Sequence, residues 1–298
     1  MPDLNRMQKS GKKIAITGKG GSGKTMLTAI ITRLLARNES LNILAIDADS
    51  AIGLAYALGM KANMTVGELR RQMIEDPEVK AEVQSRHIQD VMADALEIGN
   101  GFHLLVMGRP EGPGCYCTIN ELLRYGIERL SKEFDITIID CEAGPEQVNR
   151  RVVQGVDALI IVTDSSMRGI QVAYTISEVV RRDETMMSTR TGLVINRVKG
   201  DAKPITEVAQ HQYGLEVFGH IPEDENITRY DLAGKPLIDL PDTSPSVVAV
   251  REILRKRALS DLHHSISSSG CHNPRRDETA GFDKTTVPNP GCNVIEKE

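Results

Sequence analysis

A doubly wound α/β fold with a mostly parallel sheet is what this 298-residue sequence predicts, on three observations. Short apolar runs recur along the chain, and stretches with helical spacing separate them. The runs are also continuous rather than alternating, the pattern of parallel strands buried on both faces. In order they are Lys13–Thr17, Leu41–Asp47, Phe102–Met107, Phe134–Asp140, Asp157–Thr163, Thr191–Asn196 and Leu215–Ile221. Helical spacing fills Lys24–Ala36, Ile119–Lys132 and Gly169–Arg181, while 61–101 reads as a charged, mostly helical insert. Length alone suggests about two domains. The alternation nevertheless runs on without a linker, so 13–262 is expected to form one α/β domain, with a leader at 1–12 and a tail at 263–298. That tail is rich in Ser, Gly, Pro and Asn without periodicity, the composition of a flexible segment.

Composition narrows the function classes. With 40% apolar residues the chain can bury a substantial core. A net charge of -5, 3% aromatic residues and no Trp argue against a general nucleic-acid binder, which needs phosphate-neutralising charge and stacking surfaces. Five cysteines in this length are too few for a small disulfide scaffold. No segment reaches the ~18 uninterrupted apolar residues of a membrane span, and the charged N-terminus lacks the hydrophobic stretch of a secretory signal. The expectation is a soluble, cytoplasmic protein that engages neither membrane nor nucleic acid.

Gly18-Lys19-Gly20-Gly21-Ser22-Gly23-Lys24-Thr25 fits G-x-x-x-x-G-K-[ST], directly after a predicted strand and opening a predicted helix. The glycines let backbone N–H groups converge on phosphate oxygens, and the helix N-terminus adds a favourable dipole. Lys24 is placed to reach the β- and γ-phosphates and the Thr25 hydroxyl to ligate Mg²⁺, making this a nucleotide site of the P-loop NTPase kind. Two strands end in acids, at Asp47-Ala48-Asp49 and at Asp140, where ligands bind in open α/β sheets. Strand-end acids also serve as helix caps. Asn196 closes the run GLVIN, and its amide offers both a donor and an acceptor.

Cys115 and Cys117 lie one residue apart after a Gly/Pro-rich approach and ahead of a predicted helix, which favours thiolates. Two thiolates make half of a tetrahedral metal site, and a symmetric homodimer would supply the other half. A pair of buried, inert cysteines is the simpler alternative. Cys141 reads as a small buried residue. His263, His264, Cys271, His272 and Cys292 fall in the polar tail, and the basic residues of Val247–Leu259 as the solvated face of a helix whose apolar side covers the sheet.

KGGSGKT with its extra lysine resembles the deviant Walker A ATPases, the group containing MinD, ParA and the nitrogenase iron protein. Within that group, LLVMGRPEGPGCYC, DCEAGPEQVNRR and VTDSSMRGIQVAYTISE resemble the CooC/AcsF ATPases, over roughly Lys12 to Leu262. The resemblance implies ATP as substrate and Mg²⁺ as cofactor. It implies that Lys19 crosses to the nucleotide of a facing subunit, that Asp49 orients the attacking water and that Asp47 lies near the metal. Asp140 would be the acid that holds Mg²⁺ through water. Asn196 would hydrogen-bond adenine, with the backbone of Ile221-Pro222-Glu223-Asp224 on its other edge. Cys115 and Cys117 would bind Ni²⁺ or Zn²⁺ at the dimer interface, and the client would be carbon monoxide dehydrogenase or acetyl-CoA synthase. The chain departs from that pattern at Ser50 and Gly53, where the family usually has Pro and Asn, and at Gln147, where it has His; all three belong to elements that answer to the γ-phosphate. Two further functions fit the wider group: a positioning ATPase on membrane or DNA, and an ATP-dependent electron donor with an iron–sulfur cluster.

Overall fold

All seven predicted runs form strands of one sheet, and an eighth strand joins them. The structure, a computed structural model, describes residues 11–108, 125, 128–144, 155–183, 186 and 189–255. The strands are β1 (Lys12–Gly18), β2 (Ile43–Ala48), β3 (Leu96–Ile98), β4 (His103–Val106), β5 (Ile136–Cys141), β6 (Ala158–Asp164), β7 (Arg190–Val198) and β8 (Val217–Pro222). They lie in the order β3-β4-β2-β5-β1-β6-β7-β8. All neighbours run parallel except β3, which pairs antiparallel with β4 at the edge. Sequence reading missed β3 because three residues carry no usable periodicity, and only pairing with Leu105 to His103 makes a strand of them.

The helices are α1 (Lys24–Ala36), α2 (Gly53–Ala57), α3 (Val66–Glu75), α4 (Pro77–Ser85), α5 (Ile88–Asp94), α6 (Met167–Arg182), α7 (Lys203–Glu207), α8 (Glu225–Leu232) and α9 (Pro245–Ile253). The expected helical insert resolves into α3, α4 and α5. There Thr65 and Glu68 form a reciprocal capping box at α3, and Asp76 caps α4 ahead of its first-turn proline. Ser166 caps α6 by accepting from the Gly169 N–H at 3.0 Å, and Arg181 and Arg182 close its last turn against the dipole.

Alternate residues of the central strands feed two cores, one on each face of the sheet. Ile14, Ile16, Ile138 and Ile160 pack with Leu27, Ile30 and Ile31 of α1 and with Val247, Val250 and Ile253 of α9. Ala15, Ile139, Leu159 and Ile161 pack with Ile170, Ala173 and Ile176 of α6 and Met92 of α5. Burial on both faces is why these strands read as unbroken apolar runs. The apolar side of α9 does cover the sheet, as its spacing predicted. Because β1 lies at the centre, between β5 and β6, the loop that follows it opens at the C-terminal end of the sheet, where doubly wound folds bind ligands.

Close packing over β7 gives a direct check on the arrangement of the sheet's far side. A Cβ added at Gly192 would lie 2.1 Å from the Phe218 ring of β8. Gly192→Ala is therefore expected to cost about 1–3 kcal/mol through overpacking, read as a lower urea midpoint; an unchanged midpoint would refute this packing.

Candidate functional site

Gly18 to Thr25 run from the end of β1 into α1, and two backbone features fix the loop's shape. Gly18 has φ +145° and sits so close to β6 that a Cβ would fall 2.0 Å from the Val162 carbonyl oxygen. Gly23, with φ +97°, starts α1 and gives it no side-chain cap. The first four N–H groups of a helix have no acceptor within it, so an uncapped glycine start leaves them to a ligand. With their dipole they form an anion site. Ser22 N–H closes the loop on the Lys19 carbonyl at 3.2 Å, and the buried Lys24 lays its Nζ 3.5 Å from that same oxygen.

Beside the loop lie the predicted acids. Asp47 and Asp140 are register partners on β2 and β5, both buried. Asp140 accepts from the Thr28 hydroxyl, Thr28 Oγ1 lying 3.2 Å from its Oδ1, while its buried Oδ2 has no hydrogen-bond partner among the described residues. Burial raises the Asp140 carboxyl to about 7, against the pull of the Thr25 hydrogen bond and with the help of the neighbouring Asp47 charge. A buried carboxylate oxygen without a donor, beside a threonine hydroxyl at a phosphate loop, fits Mg²⁺. Among the described residues no three His, Cys, Asp or Glu side chains gather around a metal position.

Asp47 does something its position in the sequence does not reveal. Its Oδ2 accepts from the Leu54 and Ala55 N–H groups at 2.9 and 3.3 Å, and its Oδ1 from the Asp49 N–H at 3.2 Å. It thus caps α2 from seven residues upstream and tethers Asp49, replacing the side-chain cap that Ile52, in a left-handed turn at φ +54°, does not give. Burial raises the Asp47 carboxyl to about 6, with those backbone bonds opposing. Asp49, half-buried, accepts from the Ala51 N–H at 2.9 Å. Gly53 leaves room against Thr25, whose methyl would lie 3.6 Å from a Cβ there.

Lys19, read as reaching out to a facing subunit, is held within its own chain: its Nζ lies 2.6 Å from Asp164 Oδ2 at the end of β6. Partial burial would raise the Asp164 carboxyl, but hydrogen bonds from Lys19 and Ser166 outweigh it and hold it below the usual range. Gly169 makes room for this, since a Cβ there would lie 2.5 Å from Asp164 Oδ1. Asp164 was missed in the sequence although it closes DALIIVTD as Asp140 closes FDITIID, so the strand-end rule could have found it. Thr28, one turn beyond Lys24 on α1, was missed because nothing in the sequence says which helix face meets Asp140.

On the other side of the loop, Asn196 is buried, its Nδ2 donating to the Ser22 carbonyl at 2.7 Å. Pro222 is exposed at the end of β8, and the Glu223 N–H donates to the Val198 carbonyl at 3.1 Å. The Asp224 carboxylate is spent on structure: it accepts from the Asn226 N–H at 2.9 Å and from the Ser246 N–H and hydroxyl at 2.9 and 2.6 Å, with the Ser244 hydroxyl also bonded to it. It caps α8 and α9 together, so its carboxylate is not free to face a base. Cys141 is sealed in the core with its thiol pushed up by burial, as its reading as a small buried residue requires. Cys115, Cys117 and Gln147 lie outside the described residues, as do the histidines and cysteines of 263–298. No described helix is long and apolar enough to cross a membrane.

Comparison with known proteins agrees with this geometry. Residues 13–237 match the model of the CobQ/CobB/MinD/ParA nucleotide binding domain. An uncharacterized ATP-binding protein of Methanocaldococcus jannaschii is 35% identical over 247 residues, 82% of this chain and 97% of that one. The carbon monoxide dehydrogenase accessory protein CooC of Rhodospirillum rubrum is 30% identical over 241 residues, 76% of this chain and 90% of its own. The septum site-determining protein MinD of Pyrococcus horikoshii, solved with Mg-ADP, has the same fold, with a TM-score of 0.63 at 19% identity over 86% of this chain and 99% of that one.

The paired buried acids make stability depend on pH. Both carboxyls are raised, Asp140 to about 7 and Asp47 to about 6, whereas in the unfolded chain they ionise near the ordinary ~4. Their contribution is thus fully present at low pH and is lost as pH rises through those folded values. The melting temperature of the nucleotide-free protein is expected to fall between about pH 4 and pH 7, and to fall less in Asp140→Asn. Equal falls in the two proteins would contradict the burial argument.

Proposed function

The chain belongs to the CobQ/CobB/MinD/ParA nucleotide-binding family, and from that membership we propose that it is an ATP-hydrolysing homodimer that carries a metal ion. Nickel or zinc is the cargo, held by Cys115 and Cys117 of two subunits, and the client is carbon monoxide dehydrogenase or acetyl-CoA synthase. The observation that carries this reading is Gly114-Cys115-Tyr116-Cys117 in a chain whose similarity to the accessory protein CooC spans 76% of its length.

The residues divide the work by position. The amides at the start of α1, with Gly18, Gly20, Gly21, Ser22 and Gly23, bind the phosphates, and Lys24 neutralises them. Mg²⁺, held by the Thr25 hydroxyl and through water by Asp140, would offset the charge that develops between the phosphates. Asp49 orients the attacking water, and Asp47 keeps Asp49 and α2 in place beside the metal. Lys19 leaves Asp164 and stabilises the transition state at the partner's nucleotide, in the manner of an arginine finger. Both groups of that ion pair are about a third exposed, at 31% and 32%, so the pair can open without unburying a charge. Asn196 and the backbone of Pro222 to Asp224 flank the adenine. Nucleotide-driven closure brings the two cysteine pairs together, and hydrolysis parts them and frees the metal.

Two measurements test this. Wild-type protein with ATP is expected to be dimeric and to bind about one Zn²⁺ or Ni²⁺ per two chains, and Cys115→Ala/Cys117→Ala to dimerise without metal. Unchanged metal content in the double variant would sink the cargo assignment. Lys19→Ala is expected to keep ATP binding and lose about 10³-fold in hydrolysis rate. A variant that hydrolyses ATP at the wild-type rate would remove the role in trans.

A further inference from the structure

We propose that Asn196 is a positioning residue of the phosphate loop: it turns the Ser22–Gly23 peptide so that the Gly23 N–H faces the phosphates. This rests on the nucleotide reading of the loop and gives Asn196 a task apart from contact with the base.

Asn196 is 2% exposed at the end of β7, and both ends of its amide are engaged. Its Oδ1 accepts from the Arg197 N–H at 2.8 Å, and its Nδ2 donates to the Ser22 carbonyl at 2.7 Å. The first contact settles the second. A backbone N–H can only face the amide oxygen, which leaves the NH₂ group toward Ser22. Arg197 itself holds φ +55°, a left-handed conformation rare for a residue with a side chain, as the chain leaves this contact.

The peptide link does the rest. A trans peptide is planar, with its C=O and N–H pointing in opposite directions. Once the Ser22 carbonyl is drawn toward β7, the Gly23 N–H must point away from β7. Gly23 is the residue whose N–H begins the uncapped start of α1. The loop also fits around this strut, since a Cβ at Gly23 would lie 2.2 Å from Asn196 Nδ2. Gly23 is therefore glycine for two reasons, its φ of +97° and the close approach of Asn196. Ser22 is as buried as Asn196, both at 2% exposed, so removing the donor leaves its carbonyl without a protein partner in a buried site.

Inorganic tripolyphosphate separates this task from base recognition, because it has phosphates and no base. Dissociation constants for Mg²⁺–tripolyphosphate and Mg²⁺–ATP are to be measured on wild type, Asn196→Ala and Asn196→Asp. Both ligands should weaken together, by about tenfold in Asn196→Ala, leaving the ratio of the two constants unchanged. Asn196→Asp should weaken both further, since its carboxylate would meet the Ser22 carbonyl with no proton between them. Tripolyphosphate binding at the wild-type level in Asn196→Ala, with ATP alone weakened, would overturn the proposal and leave Asn196 a reader of the base. Should the variants not fold, the wild type still decides. One Asn196 side-chain amide proton should exchange slowly with solvent in the nucleotide-free protein, and fast exchange of both would overturn the strut. A wild type that binds neither ligand would instead remove the nucleotide reading of the loop.

Discussion

Helices need partners for their first N–H groups, and among the described residues no side chain caps the start of α1. Its cap residue is glycine, which offers no side-chain cap, and the loop before it presses against β6 at Gly18. An unsatisfied helix end is costly when buried, so the neighbouring elements are arranged to present it to a ligand. The central position of β1 puts it at the C-terminal edge of the sheet, and strands on either side bring their last residues to it: Asp140 from β5, Asp47 from β2, Asp164 from β6 and Asn196 from β7.

Those strand-end residues differ in what they are free to do. Among the described residues Asp140 keeps one buried oxygen without a donor, which fits a cation. Asp47 has both oxygens on backbone amides, so it ties the end of β2 to Asp49 and α2. Asp164 holds Lys19 in its own subunit, and a lysine so held must exchange partners before it can act on another chain. Asp224, sealed by Ser244 and Ser246, shapes backbone. Four carboxylates of like kind at one end of a sheet thus meet different surroundings: Asp140 keeps an open oxygen, Asp47 holds backbone, Asp164 pairs with Lys19 and Asp224 braces two helices.

The nucleotide site and the cysteine pair answer to different evidence. The loop is established by its own geometry and by membership of a nucleotide-binding family. The metal cargo rests on two cysteines in sequence and on the likeness to CooC. In the proposed function a dimer joins them, since a twofold axis would bring Lys19 to the facing nucleotide and two cysteine pairs together.

The sequence by itself determined the layered α/β fold, the phosphate loop and most of the acids around it. Those features are local: an apolar run, a glycine pattern and a strand-end carboxylate can each be read from a few adjacent residues. It left out β3, whose three residues exist as a strand only through pairing with β4. It also left out every assignment that depends on which donor reaches which acceptor. Lys19 finds Asp164 across 145 residues, and Asn196 finds Ser22 across 174. Contacts so distant along the chain are set by strand order and helix packing, which no local pattern encodes. Tertiary structure therefore decided what each polar group is free to do.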